Sequence, residues 1–172
     1  ISTKSNTVSK ALDLLRKNKI LNDERFKIDI QKNIPHGSGL GGGSSNAADV
    51  LNYLNSKMKL QISKKKMQKM ASQIGFDVPI NLERRNIFLT GKKNKIIRLN
   101  NKFKLNLLIV YPNIICSTKT IYTRNKQIGL SKPQPFFSVK SKRKLIDYLK
   151  NENNDLEKAV IKIYPKVKKI IN

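Results

Sequence analysis

Residues 34–48 read IPHGSGLGGGSSNAA, and the fold turns on this stretch. Five glycines, Gly37, Gly39, Gly41, Gly42 and Gly43, fall within seven residues, directly before Ser44, Ser45 and a run of helical periodicity. Glycine lets the backbone adopt φ > 0 and presents no Cβ to an approaching ligand. The spacing predicts a helix over residues 45–57, with Ala47, Ala48, Val50, Leu51 and Leu54 facing inward. Such a helix leaves its first N–H groups unpaired and adds the positive end of its dipole. A glycine-rich loop feeding that end predicts a phosphate cradle. Ser44 and Ser45 bring hydroxyls for phosphate oxygens or a magnesium ion, and Ser45 is equally a natural helix N-cap.

Two familiar phosphate loops fit poorly. A Walker loop requires Lys directly after its last glycine, and Ser44 stands there. Gly37, Gly39 and Gly42 formally satisfy G-x-G-x-x-G, but a dinucleotide fold wants an acidic residue about 20 residues further on. Lys57, Lys59 and the lysines at 64–66 occupy that region instead.

On the N-terminal side, residues 7–19 place Val8, Ala11, Leu12 and Leu15 on one helical face. Residues 25–31 alternate Phe26, Ile28 and Ile30 with charged neighbours, the period of a half-buried strand. On the C-terminal side a helix is expected over 64–74, with Met67, Met70, Ala71 and Ile74 inward and Gly75 at its C′ position. Two short strands follow, 86–90 and 95–99, around the turn-like GKKN. Residues 105–111, LNLLIVY, read as a buried strand ending at Pro112. The Pro- and Lys-rich stretch 126–138 reads as a surface loop, before helices over 139–150 and 155–171, with Pro165 bending or restarting the second. This order is that of an α+β fold with a boundary near residues 100–102.

The net charge is +25, from 36 Lys and Arg against 11 Asp and Glu. A polyanion partner would exploit it through counterion release. The basic residues are mostly Lys, however, scattered along the whole chain, without the interleaved aromatic platforms or base-reading Arg of nucleic-acid modules. A solvated surface that attracts anionic substrates is the favoured expectation, with no nucleic-acid partner. No apolar run reaches the roughly 20 residues of a membrane helix, so no membrane partner is expected. The single cysteine, Cys116, forms no internal disulfide, fits a reducing compartment such as the cytoplasm, and is expected to be a small buried residue.

The pattern P-x-x-x-G-L-G-x-G-S-S-x-A-A, formed here from Pro35 to Ala48, resembles the ATP loop of the GHMP kinases. The segment IGFDVP, from Ile74 to Pro79, resembles the L-G-x-D-V-P motif of one branch of that family, and its Asp77 lies 31 positions after Asn46. YPNIICSTKTIY and NDLEKAV also look like segments of that branch, so the similarity runs through nearly the whole chain. The resemblance implies an ATP-dependent kinase. Its N-terminal domain would be of the ribosomal protein S5 domain 2 type over residues 1–101, lacking its first strands. Residues 102–172 would begin a ferredoxin-like C-terminal domain. Its acceptor would be the 2-hydroxyl of a cytidine diphosphate methylerythritol, in non-mevalonate isoprenoid synthesis, and Mg2+ would accompany the nucleotide. A monomer or weak homodimer is expected. Another acceptor within the family is the alternative, as is, in a different class, a basic RNA-binding protein on an S5-like fold.

By the same resemblance, Pro35, His36, Gly37, Ser38, Gly39, Leu40, Gly41, Gly42, Gly43, Ser44, Ser45 and Asn46 would hold the ATP phosphates, with His36 a spacer. Lys32 matches a lysine near the nucleotide, or is a solvated strand-end lysine. Asn6 matches an asparagine near adenine and is equally a good N-cap. Asp77 matches the catalytic aspartate, the alternative being a turn residue ahead of Val78 and Pro79. Thr118 and Tyr122 match positions against the cytidine, where Tyr122 would stack on cytosine in place of the family's usual Phe; a core tyrosine is the alternative. The family's opening K-[IL]-N-L strand, its D-G-Y-H motif and its late G-[ST]-G-A motif find no counterpart in these 172 residues. The expectation is a fragment, cut at both ends and inactive by itself.

Overall fold

The computed structural model describes residues 6–35, 37–90, 95–99, 103–125 and 141–171. Helices and one small sheet divide between two compact units. The first is built from the described residues up to Pro35 and from Leu40 to Arg84, the second from residues 37–39 and the described residues from Arg85 onward.

The first unit is a helical cluster around α2, Gly42–Lys57. Against it pack α1, Thr7–Lys17, α3, Lys64–Ile74, and the single turn α4, Val78–Asn81. Each amphipathic stripe goes where its 3.6-residue period directs it. Val8, Ala11 and Leu15 of α1 are buried as expected, joined by Leu14, while Leu12 packs at the edge of the core. Ala47, Ala48, Leu51 and Leu54 of α2 are buried, with Val50 half-buried against them. Ala11, Ala47 and Ala48 carry no atoms beyond Cβ, which lets the backbones of α1 and α2 approach closely at fully buried positions. The four inward residues of α3 are all buried, and Val78 seats α4 in the same core.

Side-chain hydrogen bonds lock the connections. Asn55 accepts from the Ile62 amide at 2.9 Å and donates to the Ile62 carbonyl at 3.4 Å, bridging α2 to the entry of α3. Asn52 Nδ2 donates to the Leu82 carbonyl at 2.9 Å, and Lys64 Nζ meets Glu83 Oε1 at 2.8 Å, so the segment after α4 is tied to both α2 and α3.

Two helices end on left-handed lysines. After α1, Lys19 has φ 53°, its N–H bonds the Arg16 carbonyl and the Ile20 N–H bonds that of Leu15. After α2 the pattern recurs, with Lys59 at φ 51° bonding Ser56 and Leu60 bonding Asn55. Both are six-residue C-terminal closures of the kind that glycine usually serves. Gly75, expected at the C′ position after α3, caps that helix instead with extended backbone at φ 178°.

In the second unit β1, Ile87–Thr90, pairs antiparallel with β2, Lys95–Arg98, in the register Ile87↔Arg98. The helices α5, Thr118–Arg124, α6, Lys142–Asn151, and α7, Glu157–Ile163, follow. Pro165 does restart the last segment, through a 3₁₀ turn, Pro165–Val167, into α8, Lys168–Ile171.

Several expectations need correction. Residues 25–31 form no strand and pair with none among the described residues, and Ile28 is exposed. Residues 105–111 form no strand either, and Leu107 and Leu108 are 78% and 91% exposed. An apolar run states what a segment would bury; the ladder and the cover come from neighbours. Helix α2 starts three residues before Ser45, because Gly42, Gly43 and Ser44 already take helical backbone. The helix expected from 139 starts at Lys142 behind a Ser141 cap, and α4 and α5 had no sequence signal strong enough to be anticipated. Cys116 is half-buried, not buried. The GKKN turn, the loop over 126–138 and the boundary at 100–102 lie outside the described residues.

The lysine closures yield a direct test. Left-handed backbone costs an L-residue about 1–2 kcal/mol and costs glycine almost nothing, less glycine's extra freedom when unfolded. Lys59→Gly, and separately Lys19→Gly, should each raise stability by about 1 kcal/mol in chemical denaturation. A lowered midpoint in either variant would show that the lysine side chain stabilises its closure by more than the strain it carries.

Candidate active site

The glycine loop meets α2 at Gly41, which has φ 69° and ψ 11° and occupies the N-cap position. A β-carbon there would be strained even though the space around it is open. Gly41 has no side chain to cap with, and the Ser45 N–H bonds its carbonyl at 3.0 Å. Ser45 is therefore inside the first turn and not the cap. The amides of Gly42, Gly43 and Ser44 precede the helix's own hydrogen-bond ladder.

The other long helices are treated differently. Asn6 Oδ1 accepts from the Ser9 N–H at 2.8 Å to cap α1. Ser63 and Ser141 accept from Lys66 and Lys144 at 3.4 and 3.3 Å to cap α3 and α6. Among the described helices of ten residues or more, α2 alone starts without a side-chain cap. Positive dipole, open amides and two hydroxyls, Ser44 and Ser45, are thus gathered at one half-buried helix end. That end can hold an anion.

The earlier part of the loop is held otherwise. Gly37 has φ 73°, and its carbonyl accepts from the Cys116 N–H at 3.4 Å. A β-carbon on Gly37 would lie 2.7 Å from Ile115 Cγ2, so glycine is required there by conformation and by space together. Ser38 is half-buried, Leu40 is exposed, and His36 lies outside the described residues.

Asp77 stands at the N-cap position of α4, yet its carboxylate makes no cap hydrogen bond, and the residue is exposed. Its carbonyl is the group engaged, accepting from Asn81 Nδ2 at 2.7 Å. Asp77 thus begins a helix that packs on α2, the helix that starts at the Gly41–Gly43 corner. Asn6 is brought close as well, since its neighbour Thr7 donates Oγ1 to the Gly43 carbonyl at 2.6 Å. Thr7 was not singled out from sequence. Its signal was the third consecutive glycine, where a β-carbon would press on Thr7 Oγ1 at 3.3 Å and no positive φ calls for glycine. Lys32 and Pro35 are exposed in the segment before the loop, and Asn46 is half-buried in α2.

Thr118 and Tyr122 lie in the second unit, one turn apart on α5, both exposed. Tyr122 is 62% exposed while its neighbour Ile121 is buried, so the core-tyrosine alternative fails. Ser117 Oγ caps α5, accepting from the Thr120 amide at 3.3 Å and from its hydroxyl at 3.0 Å.

Comparison with known proteins follows the same stretch. Residues 6–83 match the family model described as the GHMP kinases N terminal domain, a span that starts at the α1 cap and ends just beyond α4. The chain belongs to the GHMP kinases. It is 40% identical over 168 residues to the 4-diphosphocytidyl-2-C-methyl-D-erythritol kinase of Pelagibacter ubique (strain HTCC1062), covering 98% of this chain and 58% of that protein. Identity to the enzyme of the same name from Persephonella marina (strain DSM 14350 / EX-H1) is 36%, over 85% of this chain and 54% of the relative. The chloroplastic enzyme of Oryza sativa subsp. japonica is 33% identical over 96% of this chain and 42% of its own length. The chain thus spans little more than half the length of these bacterial relatives and less of the plant one.

The Gly37 geometry can be checked without any ligand. Gly37→Ala should cost about 1–2 kcal/mol for the left-handed backbone, and more for the Ile115 clash. Thermal unfolding of Gly37→Ala, Ile115→Ala and the double variant should reveal a favourable coupling of about 0.5 kcal/mol or more. Strict additivity would mean that the two residues do not meet.

Proposed function

We propose that these residues belong to an ATP-dependent kinase that phosphorylates the 2-hydroxyl of 4-diphosphocytidyl-2-C-methyl-D-erythritol, a step of non-mevalonate isoprenoid synthesis. The observation that carries the nucleotide half is the uncapped, glycine-entered start of α2. The acceptor half is supported by the names of the relatives. Residues 35–46 cradle the phosphates of ATP, the Gly42–Ser44 amides and the Ser44 and Ser45 hydroxyls meeting phosphate oxygens. Asn6 and Lys32 lie toward the nucleoside. The described residues hold no group of three or more His, Cys, Asp and Glu suited to a metal. Mg2+ would accompany the nucleotide, where the Ser44 and Ser45 hydroxyls would be the residues to hold it, and it would supply charge neutralisation at the phosphates.

In this reading residues 1–101 supply the nucleotide-binding domain of S5 type and residues 102–172 begin the ferredoxin-like one. Asp77 orients the acceptor hydroxyl and takes its proton as the oxygen bonds to the γ-phosphorus and the bond to the β-phosphate oxygen breaks. A carboxylate that is exposed and unspent on capping is free for that task. The Tyr122 ring stacks on cytosine beside Thr118, a role its exposure permits. A reducing compartment suits the lone thiol of Cys116.

Two measurements test the reading. Gly41→Val forces a β-branched residue into left-handed backbone at the loop corner. It should lower the affinity of the 172-residue chain for Mg-ATP at least tenfold in calorimetry while the chain stays folded; wild-type affinity would remove the phosphate cradle from that corner. Within a protein of the relatives' full length, Asp77→Asn should reduce kcat by roughly 10² or more with little change in KM, because the lost proton acceptor acts in the transition state. A kcat within a few-fold of wild type, with a lowered melting temperature, would make Asp77 a turn residue.

A further inference from the structure

We propose that the Thr7 hydroxyl is a positioning group for the phosphate loop, a strut that sets the direction of the Ser44 amide at the start of α2. The inference rests on the nucleotide role proposed for that loop and adds to it a residue outside the glycine motif.

Thr7 is the first residue of α1, and Gly43 lies in the first turn of α2, 36 positions later. Helix-initial Thr and Ser hydroxyls commonly turn back on their own backbone. Here that local work is already done by Asn6, whose Oδ1 takes the Ser9 N–H. The Thr7 hydroxyl is released to cross to the other helix, where it donates to the Gly43 carbonyl at 2.6 Å. A carbonyl has two lone pairs, so Gly43 can accept from Thr7 and still serve the helix ladder.

The bond has a steric condition. A β-carbon on Gly43 would sit 3.3 Å from Thr7 Oγ1 and 3.8 Å from its methyl carbon, so a side chain at 43 would press on the strut. Gly43 itself has helical backbone, and its φ gives no reason for glycine. The close approach of Thr7 does. The carbonyl of Gly43 and the amide of Ser44 belong to one rigid peptide plane, so holding the oxygen fixes the direction of the N–H. Since α2 has no side-chain cap, this interhelical bond takes over the task of holding its first turn, on the carbonyl side, and leaves the amide side open to an anion. The shape of the threonine also matters: its methyl packs and its hydroxyl bonds, so Val keeps the volume and removes only the donor.

The test uses the 172-residue chain with Thr7→Val and Thr7→Ser. Mg-ATP affinity is measured by calorimetry, stability by thermal melting, and hydrogen exchange at the Ser45 amide, which bonds the Gly41 carbonyl in the first turn of α2, by NMR. Thr7→Val should weaken ATP binding about fivefold or more, the factor set by one ordinary hydrogen bond, and speed exchange at that amide, with melting shifted by only a few degrees. Thr7→Ser should restore both affinity and protection. Wild-type affinity in Thr7→Val overturns the proposal and leaves the phosphate loop standing. So does unchanged amide exchange, even in a variant whose packing has loosened. A loss of affinity that Ser fails to rescue, and that follows a fall in melting temperature, makes Thr7 a packing residue and overturns it equally. No ATP binding by the unsubstituted chain removes the nucleotide reading, and the strut with it.

Discussion

Helix α2 has to satisfy two opposed demands, and the first unit is arranged around them. Its body must be buried, because Ala47, Ala48, Leu51 and Leu54 present a continuous apolar stripe that α1, α3 and α4 cover. Its N-terminus must remain unsatisfied if it is to hold an anion. A helix end normally recruits an Asn, Ser or Thr to quench its first amides, and α1, α3 and α6 do so. At α2 the corner is turned by left-handed Gly41, which brings no acceptor. Stability is thus withheld where chemistry would use it, and recovered through packing and through interhelical bonds to carbonyls.

The charge distribution follows from the same division. None of the described buried residues is polar or charged, so the excess of lysine is carried at the surface. Lys64, Lys65 and Lys66 even occupy the first turn of α3, where the dipole disfavours cations, with only Lys64 paired closely, to Glu83. The ion pairs Arg16–Asp13, Lys27–Asp29 and Arg84–Asp49 are loose, at 3.8–3.9 Å between exposed partners, and such pairs add little stability. Lysine also closes α1 and α2 in left-handed backbone that glycine would adopt without strain. Charge in this chain is tolerated by the fold and does not build it. It biases the surroundings toward anions of every kind, and the selection among them falls to the local geometry of the glycine loop.

Legibility varied with how local the cause was. The three long helices of the first unit were readable because a 3.6-residue stripe is a property of a few neighbouring residues, and α3 came out with its bounds and all four inward residues as expected. The hairpin of β1 and β2 was readable for the same reason. Residues 25–31 and 105–111 have equally clear apolar patterns, yet neither pairs with a described strand. A strand exists only with a neighbour, and no pattern within the segment supplies one. The short helices α4 and α5 are too brief for a periodic signal, and their caps and packing decide them.

At the site, the sequence by itself determined the chemistry on offer: glycines before a helix, two serines behind them, and an aspartate just past the end of α3. Those are consequences of residue type and order along the chain. Only tertiary structure decided how each is used. It put Ser45 inside the helix rather than at its cap, gave Asn6 a capping bond to Ser9, left the Asp77 carboxylate unspent, and turned Tyr122 outward. It also separated the reasons for the glycines, conformation at Gly41, conformation and the Ile115 side chain at Gly37, and the approach of Thr7 at Gly43. The physical reason is distance along the chain. A hydrogen bond between residues 36 positions apart leaves no periodic trace in either segment, so its partners become visible only when the helices that carry them have packed.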